Sequence, residues 1–251
     1  MEIKIPYAII PCAGKAKRMG KISIPKSLYN INGIPNLETL LIKLSKYCSR
    51  FVLAINEEDF IDNIYKKNLS KNLLSKIDFV PSVSGAGDGQ AVLDCLNFIS
   101  KKNLKNDYNL ICWGDTYIQD VSIFKFLTEK IGILSEDFVV PINHVKKPYV
   151  AYLFNKKNKL SRVAFQRRGE FLNEGYTDLS IFFIKKNVKN YLIEMKKNIN
   201  LSNNNKLNEL NFLDLINFMY KKRISMATIT IDVNTYINSF NTVKEALNLQ
   251  N

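Results

Sequence analysis

Between Tyr7 and Trp113, short apolar runs of strand length alternate with amphipathic segments of helix length, and this order constrains the fold more than any other feature. Residues 7–11, 51–55, 77–80 and 110–113 read as strands. Residues 37–47 and 90–99 carry apolar side chains at helical spacing, and a charged helix is expected to run from the second strand to about Lys67. Strands that alternate with helices predict a parallel sheet covered on both faces. Ligands of such sheets bind beyond the carboxyl ends of the strands. The loops after residues 11, 80 and 113 should therefore gather on one edge.

After residue 120 the pattern changes. Residues 138–141, 149–154, 161–165, 180–184 and 224–231 read as strands, with a hairpin turn at 155–158. Residues 202–206 read as a polar loop, 207–220 as an amphipathic helix and 243–249 as a terminal helix. No internal repeat or low-complexity linker divides the 251 residues, so one domain with a mixed sheet is the simplest expectation.

The formal charge is +13 and suits phosphate-bearing ligands. Pairs such as Lys66-Lys67, Lys101-Lys102 and Lys146-Lys147 are scattered and form no continuous stripe. That pattern favours a solvated surface and argues against nucleic acid as a partner. The four cysteines, Cys12, Cys48, Cys95 and Cys112, lack the spacing of a zinc knuckle. Cys12 and Cys112 sit in apolar runs and read as buried thiols. The N-terminus lacks the pattern of a signal peptide, and no apolar run approaches the roughly 20 residues needed to cross a bilayer. A cytoplasmic protein without membrane insertion is expected, with oligomeric state left open.

Residues 8–35, AIIPCAGKAKRMGKISIPKSLYNINGIP, join a strand to a loop rich in small and basic residues. Small residues let backbone N–H groups approach phosphate oxygens. Arg18 and Lys26 can neutralise a triphosphate, and Pro25 fixes the backbone before Lys26. A Walker A loop is absent. Ala13, Gly14, Arg18 and Met19, then Pro25, Lys26 and Leu28, then Gly33 and Pro35 resemble the N-terminal signature of the sugar-phosphate nucleotidyltransferases, with the N-acetylglucosamine-1-phosphate uridylyltransferases similar in pattern. The resemblance implies a Rossmann-like nucleotidyltransferase fold of the α/β class, with a central mixed, mostly parallel sheet and helices on both faces. It implies a nucleotide-binding half to about residue 120 and an acceptor-binding half from about 121 to 251. It also implies that Arg18 and Lys26 act on the NTP phosphates and that Ala13, Gly14, Lys15 and Lys17 contact the nucleotide. Ala16 and Lys17 replace a family glycine and hydroxyl residue. From its length the chain is expected to carry no fused acetyltransferase domain.

Residues 84–92, SGAGDGQAV, resemble the family loop that contacts the nucleobase, so Gly87 and Asp88 take that role; Asp88 stands where threonine is usual and Gln90 where histidine is usual. A glycine turn at a helix start would read the same way. Asp115 ends a buried strand, where an acid can hold Mg²⁺ against phosphates. Asn241, in Phe240-Asn241-Thr242, resembles the second family metal ligand; Asp232 is its rival, and an N-cap of the last helix is the plain alternative for Asn241. Tyr149, Glu170 and Asp178 take the family's acceptor contacts, and Arg168, or Arg167 beside it, an acceptor phosphate; exposed loop charge explains each equally well. His144 has no evident partner.

The resemblance implies transfer of an NMP group from an NTP, UTP or CTP favoured, to a sugar phosphate, with Mg²⁺ as cofactor and pyrophosphate released. A cytidylyltransferase acting on a phosphorylated polyol stays open within the family. A non-catalytic nucleotide- or RNA-binding protein and a metal-dependent glycosyltransferase are the readings outside it.

Overall fold

The computed structural model describes residues 4–14, 19–20, 24–102, 107–202, 209–231 and 237–249. The first half runs β1 (Ile5–Pro11), β2 (Asn30–Ile31), β3 (Ile34–Pro35), α1 (Asn36–Leu44), β4 (Cys48–Asn56), α2 (Glu57–Ile61), α3 (Ile64–Asn68), α4 (Lys71–Leu74), β5 (Ile77–Ser82), α5 (Asp88–Ser100), β6 (Asn109–Cys112), β7 (Thr116–Ile118) and α6 (Ser122–Ile131). The second half runs β8 (Phe138–Lys146), β9 (Val150–Phe154), β10 (Leu160–Phe165), β11 (Glu174–Asp178), β12 (Ile181–Ile184), α7 (Val188–Ser202), α8 (Asp214–Lys221), β13 (Ala227–Thr230), β14 (Ile237–Ser239) and α9 (Val243–Asn248).

One ten-stranded mixed sheet has the order β10-β9-β11-β8-β12-β6-β1-β4-β5, with β13 added beside β8. The neighbours β6, β1, β4 and β5 are all parallel, whereas β12 runs antiparallel to both β6 and β8. Strands β10, β11 and β12 oppose the direction shared by the rest. The central strands are buried on both faces, as a sheet covered on both sides requires.

Alternation from Tyr7 to Ile10 of β1 shows the two layers: Ala8 and Ile10 join one core with α1 and α6, and Tyr7 and Ile9 join the other with α5, α7 and α8. Leu37, Leu40, Leu41 and Leu44 form the buried stripe of α1 expected from its spacing.

Several boundaries differ from the sequence expectation. The charged helix before Lys67 is two short helices separated at Asn63, whose φ of 54° interrupts helical geometry. Of the helix expected over 207–220, residues 207 and 208 lie outside the described residues, and the helix observed begins at Asp214, because the backbones of Leu210 and Phe212 are hydrogen-bonded to Ala86 and to the start of α5. The late strand covers Ala227–Thr230 alone. Residues 175–178, expected only to precede a strand, form most of β11. Ser202 ends α7, and the rest of the polar loop, 203–206, lies outside the described residues. The turn at 155–158 forms as expected, with Asn158 N–H donating to the Asn155 carbonyl at 2.9 Å. All four cysteines are buried and free. No helix among the described residues is long and apolar enough to cross a membrane.

Candidate active site

Three chain segments far apart in sequence deliver Lys26, Asp115 and Asn241 to one point. The Lys26 ammonium donates to the Asp115 carboxylate and, at 3.1 Å, to Asn241 Oδ1. Lys26 opens a 3-10 turn after Pro25. The next residue, buried Ser27, shares a 3.0 Å hydrogen bond with the Tyr65 hydroxyl, which also reaches the Cys12 carbonyl at 3.4 Å. The lysine turn is thereby tied to the end of β1.

Asp115 sits in the tight turn between β6 and β7. Asn36 Nδ2 donates to the carbonyls on either side of it, Gly114 at 3.3 Å and Thr116 at 3.1 Å. A Cβ on Gly114 would lie 2.4 Å from Cys12 Sγ, so only glycine lets this turn pack on β1. Strand β14 pairs antiparallel with β7, Ser239 against Thr116, which carries Asn241 back to Asp115. The cap of α9 is Thr242, whose Oγ1 accepts from Glu245 N–H at 3.2 Å, while Glu245 accepts from Asn241 N–H at 2.5 Å. This reciprocal capping box leaves the Asn241 side chain to Lys26, so the plain N-cap alternative does not hold.

These residues line a cavity of about 620 Å³ across the carboxyl edge of the parallel strands. Ala13 and Gly14 line it after β1. Lys15, Lys17, Arg18 and the rival Asp232 lie outside the described residues.

Gly85, Gly87 and Asp88 contribute the next wall. Gly87 has φ of +96°, and a Cβ there would lie 2.4 Å from the Leu210 carbonyl oxygen. The loop is laced to the segment before α8: Leu210 N–H donates to Ala86 and Gly89 N–H to Leu210, both at 2.8 Å. Asp88 Oδ1 accepts from the amides of Gly89 and Phe212, also at 2.8 Å. Burial pushes the Asp88 carboxyl above its ordinary range, while those amides and the charge of Arg167 pull it back.

On the opposite side, Tyr149, Arg167, Thr177 and Asp178 line the cavity. Asp178 Oδ2 accepts from the Tyr152 hydroxyl at 3.1 Å and Oδ1 from Ser180 N–H at 2.7 Å. Burial raises its carboxyl above the ordinary range as well. Arg168 and Glu170 do not line the cavity. Arg168 makes two 2.7 Å bonds to Asp214 and stacks 4.2 Å over Phe165. Glu170 accepts from Arg162 at 2.6 Å and from Phe165 N–H at 3.0 Å. His144 lies edge-on to Tyr176, with ring centroids 5.3 Å apart.

The sequence reading did not single out Trp113, Ser180, Asn211 or Leu213, all of which line the cavity. A signal existed for Trp113, which directly precedes Gly114-Asp115, and for Ser180, two residues beyond Asp178. Ser180 adopts φ of +60°, an uncommon conformation for a side-chain-bearing residue. Nothing in the local pattern marks Asn211 and Leu213, which arrive through the lacing to Ala86 and Asp88.

The cavity at the carboxyl ends of the parallel strands of this α/β domain thus joins glycine walls, the Lys26 ammonium and two convergent oxygens. Residues 8–172 match the MobA-like NTP transferase domain, and the chain belongs to that family. Over 116 residues it is 34% identical to the bifunctional protein GlmU of Methanococcus maripaludis, an alignment covering 45% of this chain and 25% of the relative. GlmU of Methanococcus aeolicus is 28% identical over 146 residues, covering 56% and 31%. The chain thus spans about a quarter to a third of the length of these curated relatives. Among solved structures, one named for a glucose-1-phosphate thymidylyltransferase from Bacillus anthracis superposes with TM-score 0.73 at 18% identity, covering 97% of this chain and 94% of that one. The inositol-1-phosphate CTP transferase from T. maritima gives 0.70 at 14% identity, covering 100% and 98%. These similarities show a shared fold.

Proposed function

We propose that this chain transfers an NMP group from an NTP to a phosphorylated small molecule, a sugar phosphate foremost, and releases pyrophosphate. The observation that carries the reading is the convergence of Lys26, Asp115 and Asn241 at the cavity. The names of the relatives support it: GlmU, a glucose-1-phosphate thymidylyltransferase and an inositol-1-phosphate CTP transferase. The last keeps the polyol-phosphate alternative alongside the sugar phosphate.

The acceptor phosphate oxygen attacks the α-phosphorus, and the bond from that phosphorus to the β-phosphate bridging oxygen breaks. Pyrophosphate leaves with the electron pair. The nucleophile is already anionic, so no side chain need act as a base. Ala13 and Gly14 offer backbone to the phosphates; Lys26 offers charge, and Arg18 and the lysines at 15 and 17 are assigned the same task. Gly87 and Asp88 face the base. Tyr149, Asp178 and Arg167 take the acceptor, with Arg168 and Glu170 bracing the turn that carries Arg167.

The Asp115 and Asn241 oxygens already converge on a cation, the Lys26 ammonium, and hard oxygen donors suit Mg²⁺, which keeps several waters and phosphate oxygens as its other ligands. When bound there, Mg²⁺ would supply charge neutralisation at the phosphates. The buried free thiols suit a reducing compartment such as the cytoplasm.

The test is pyrophosphate release with Mg²⁺ across ATP, CTP, GTP, UTP and dTTP, each against sugar 1-phosphates and inositol 1-phosphate. Release from one NTP–acceptor pair, with the nucleotide diphosphate product formed in equal amount, is expected. Binding of NTPs without release from any pair would favour a binding protein instead.

A further inference from the structure

Asp88 divides its two carboxyl oxygens between two tasks. Oδ1 holds the loop to the segment before α8, accepting from the Gly89 and Phe212 amides. No other residue donates a hydrogen bond to Oδ2 among the described residues. Asp88 lines the cavity, and Oδ2 is the carboxyl oxygen that other residues leave unengaged. Gly85 and Gly87, both at positive φ, present bare backbone beside it, a wall that admits a flat ring.

We propose that Asp88 selects the base of the nucleotide, favouring one with an exocyclic amino group, cytosine, adenine or guanine, over uracil or thymine. This rests on the reading of the glycine loop as the nucleobase subsite. The Gly89 and Phe212 amides and the charge of Arg167 counter the upward push of burial on Asp88, and an ionised carboxylate oxygen only accepts. An amino group donates to it directly, whereas uracil and thymine offer a carbonyl oxygen at the corresponding edge of the ring. Their one N–H lies between two carbonyl oxygens, which repel an approaching carboxylate.

The same geometry supplies a test. Asp88→Asn keeps an oxygen at Oδ1 for both amides and turns the free position from an acceptor into a donor. Dissociation constants of the Mg²⁺ complexes of CTP, ATP, GTP, UTP and dTTP are measured by calorimetry for both proteins, with thermal melts alongside. Wild type should bind at least one amino-bearing NTP about tenfold or more tightly than UTP and dTTP, in line with a hydrogen bond to a charged group. Asp88→Asn should shift that ratio about tenfold or more toward UTP. Wild-type preference for UTP or dTTP would overturn the proposal, as would an unchanged ratio in the folded variant. The wild-type comparison decides alone if the variant melts early. If no NTP binds to folded wild type, the transferase reading falls too; binding without discrimination removes only the role of Asp88.

Discussion

The parallel and antiparallel sides of the sheet contribute to the cavity in different currencies. On the parallel side, β1, β5 and β6 end in loops that offer backbone, glycine and one tight charge cluster. On the antiparallel side, side chains do the lining, and most of their charge is already spent within the protein. Arg168 is held by Asp214, Glu170 by Arg162, and Asp178 by Tyr152 and Ser180. A triphosphate can be cradled by backbone, which varies little with side-chain identity, whereas an acceptor must be recognised by particular groups. Arg167 lines the cavity while Arg168 is tied back, which is why the proposed function gives the acceptor phosphate to Arg167.

Removing the charge cluster on the parallel side should have the largest effect. Lys26→Ala or Asp115→Ala should lower turnover by about 10²–10³-fold, the usual cost of losing a preorganised electrostatic contact, with little change in melting temperature. Turnover near wild type in a folded variant would mean that the parallel side does not hold the reaction centre.

Next in size is Gly87→Ala. The added Cβ meets the Leu210 carbonyl at 2.4 Å on a backbone with φ of +96°. A loss of about 1–3 kcal/mol of stability is expected from strain of this kind, read by chemical denaturation, together with weaker NTP binding. An unchanged variant would mean that the lacing to Leu210 is slack.

The two arginines should separate on the antiparallel side. Arg167→Ala should raise the acceptor KM about tenfold, a charge-assisted hydrogen bond's worth, and leave the NTP KM near its original value. Arg168→Ala should act mainly on stability, and by about 1 kcal/mol or less, because its pair with Asp214 is partly exposed and screened. The reverse pattern would return Arg168 to the acceptor site.

The smallest effect concerns pH. Burial raises the Asp178 carboxyl, so the folded state binds its proton more tightly than the unfolded state. Stability therefore falls as pH rises from the ordinary aspartate range through the raised folded value, and the cost persists at neutral pH. Asp178→Asn should melt at or above the wild-type temperature near pH 7, with the gap closing toward pH 4, even as acceptor turnover drops. Destabilisation growing with pH would contradict the sign.

The same division decides what the sequence makes legible. Asp115, Ala13 and Gly14 lie within three residues of apolar strand ends, and Lys26 is marked by the Pro25-Lys26 pair further along the chain, so local patterns single out all four as candidates. Asn241 is reached through a short pattern, and its place beside Asp115 depends on the pairing of β14 with β7, which no local periodicity shows. Asn211 and Leu213 were read into a helix because their apolar neighbours keep helical spacing. Backbone hydrogen bonds from a loop more than 100 residues away override that propensity. Arg167 and Arg168 are adjacent and chemically identical, so only the position of Asp214 tells them apart.

The most direct test of the central claim is a Mg²⁺ titration of pyrophosphate release, with the active NTP–acceptor pair, for wild type, Asp115→Asn and Asn241→Ala. Lys26, Asp115 and Asn241 as one reaction centre predict that both folded variants need far more Mg²⁺ for half-maximal release and reach a lower plateau, while metal-free NTP binding stays near the wild-type value. Titration curves that superpose on wild type would contradict it.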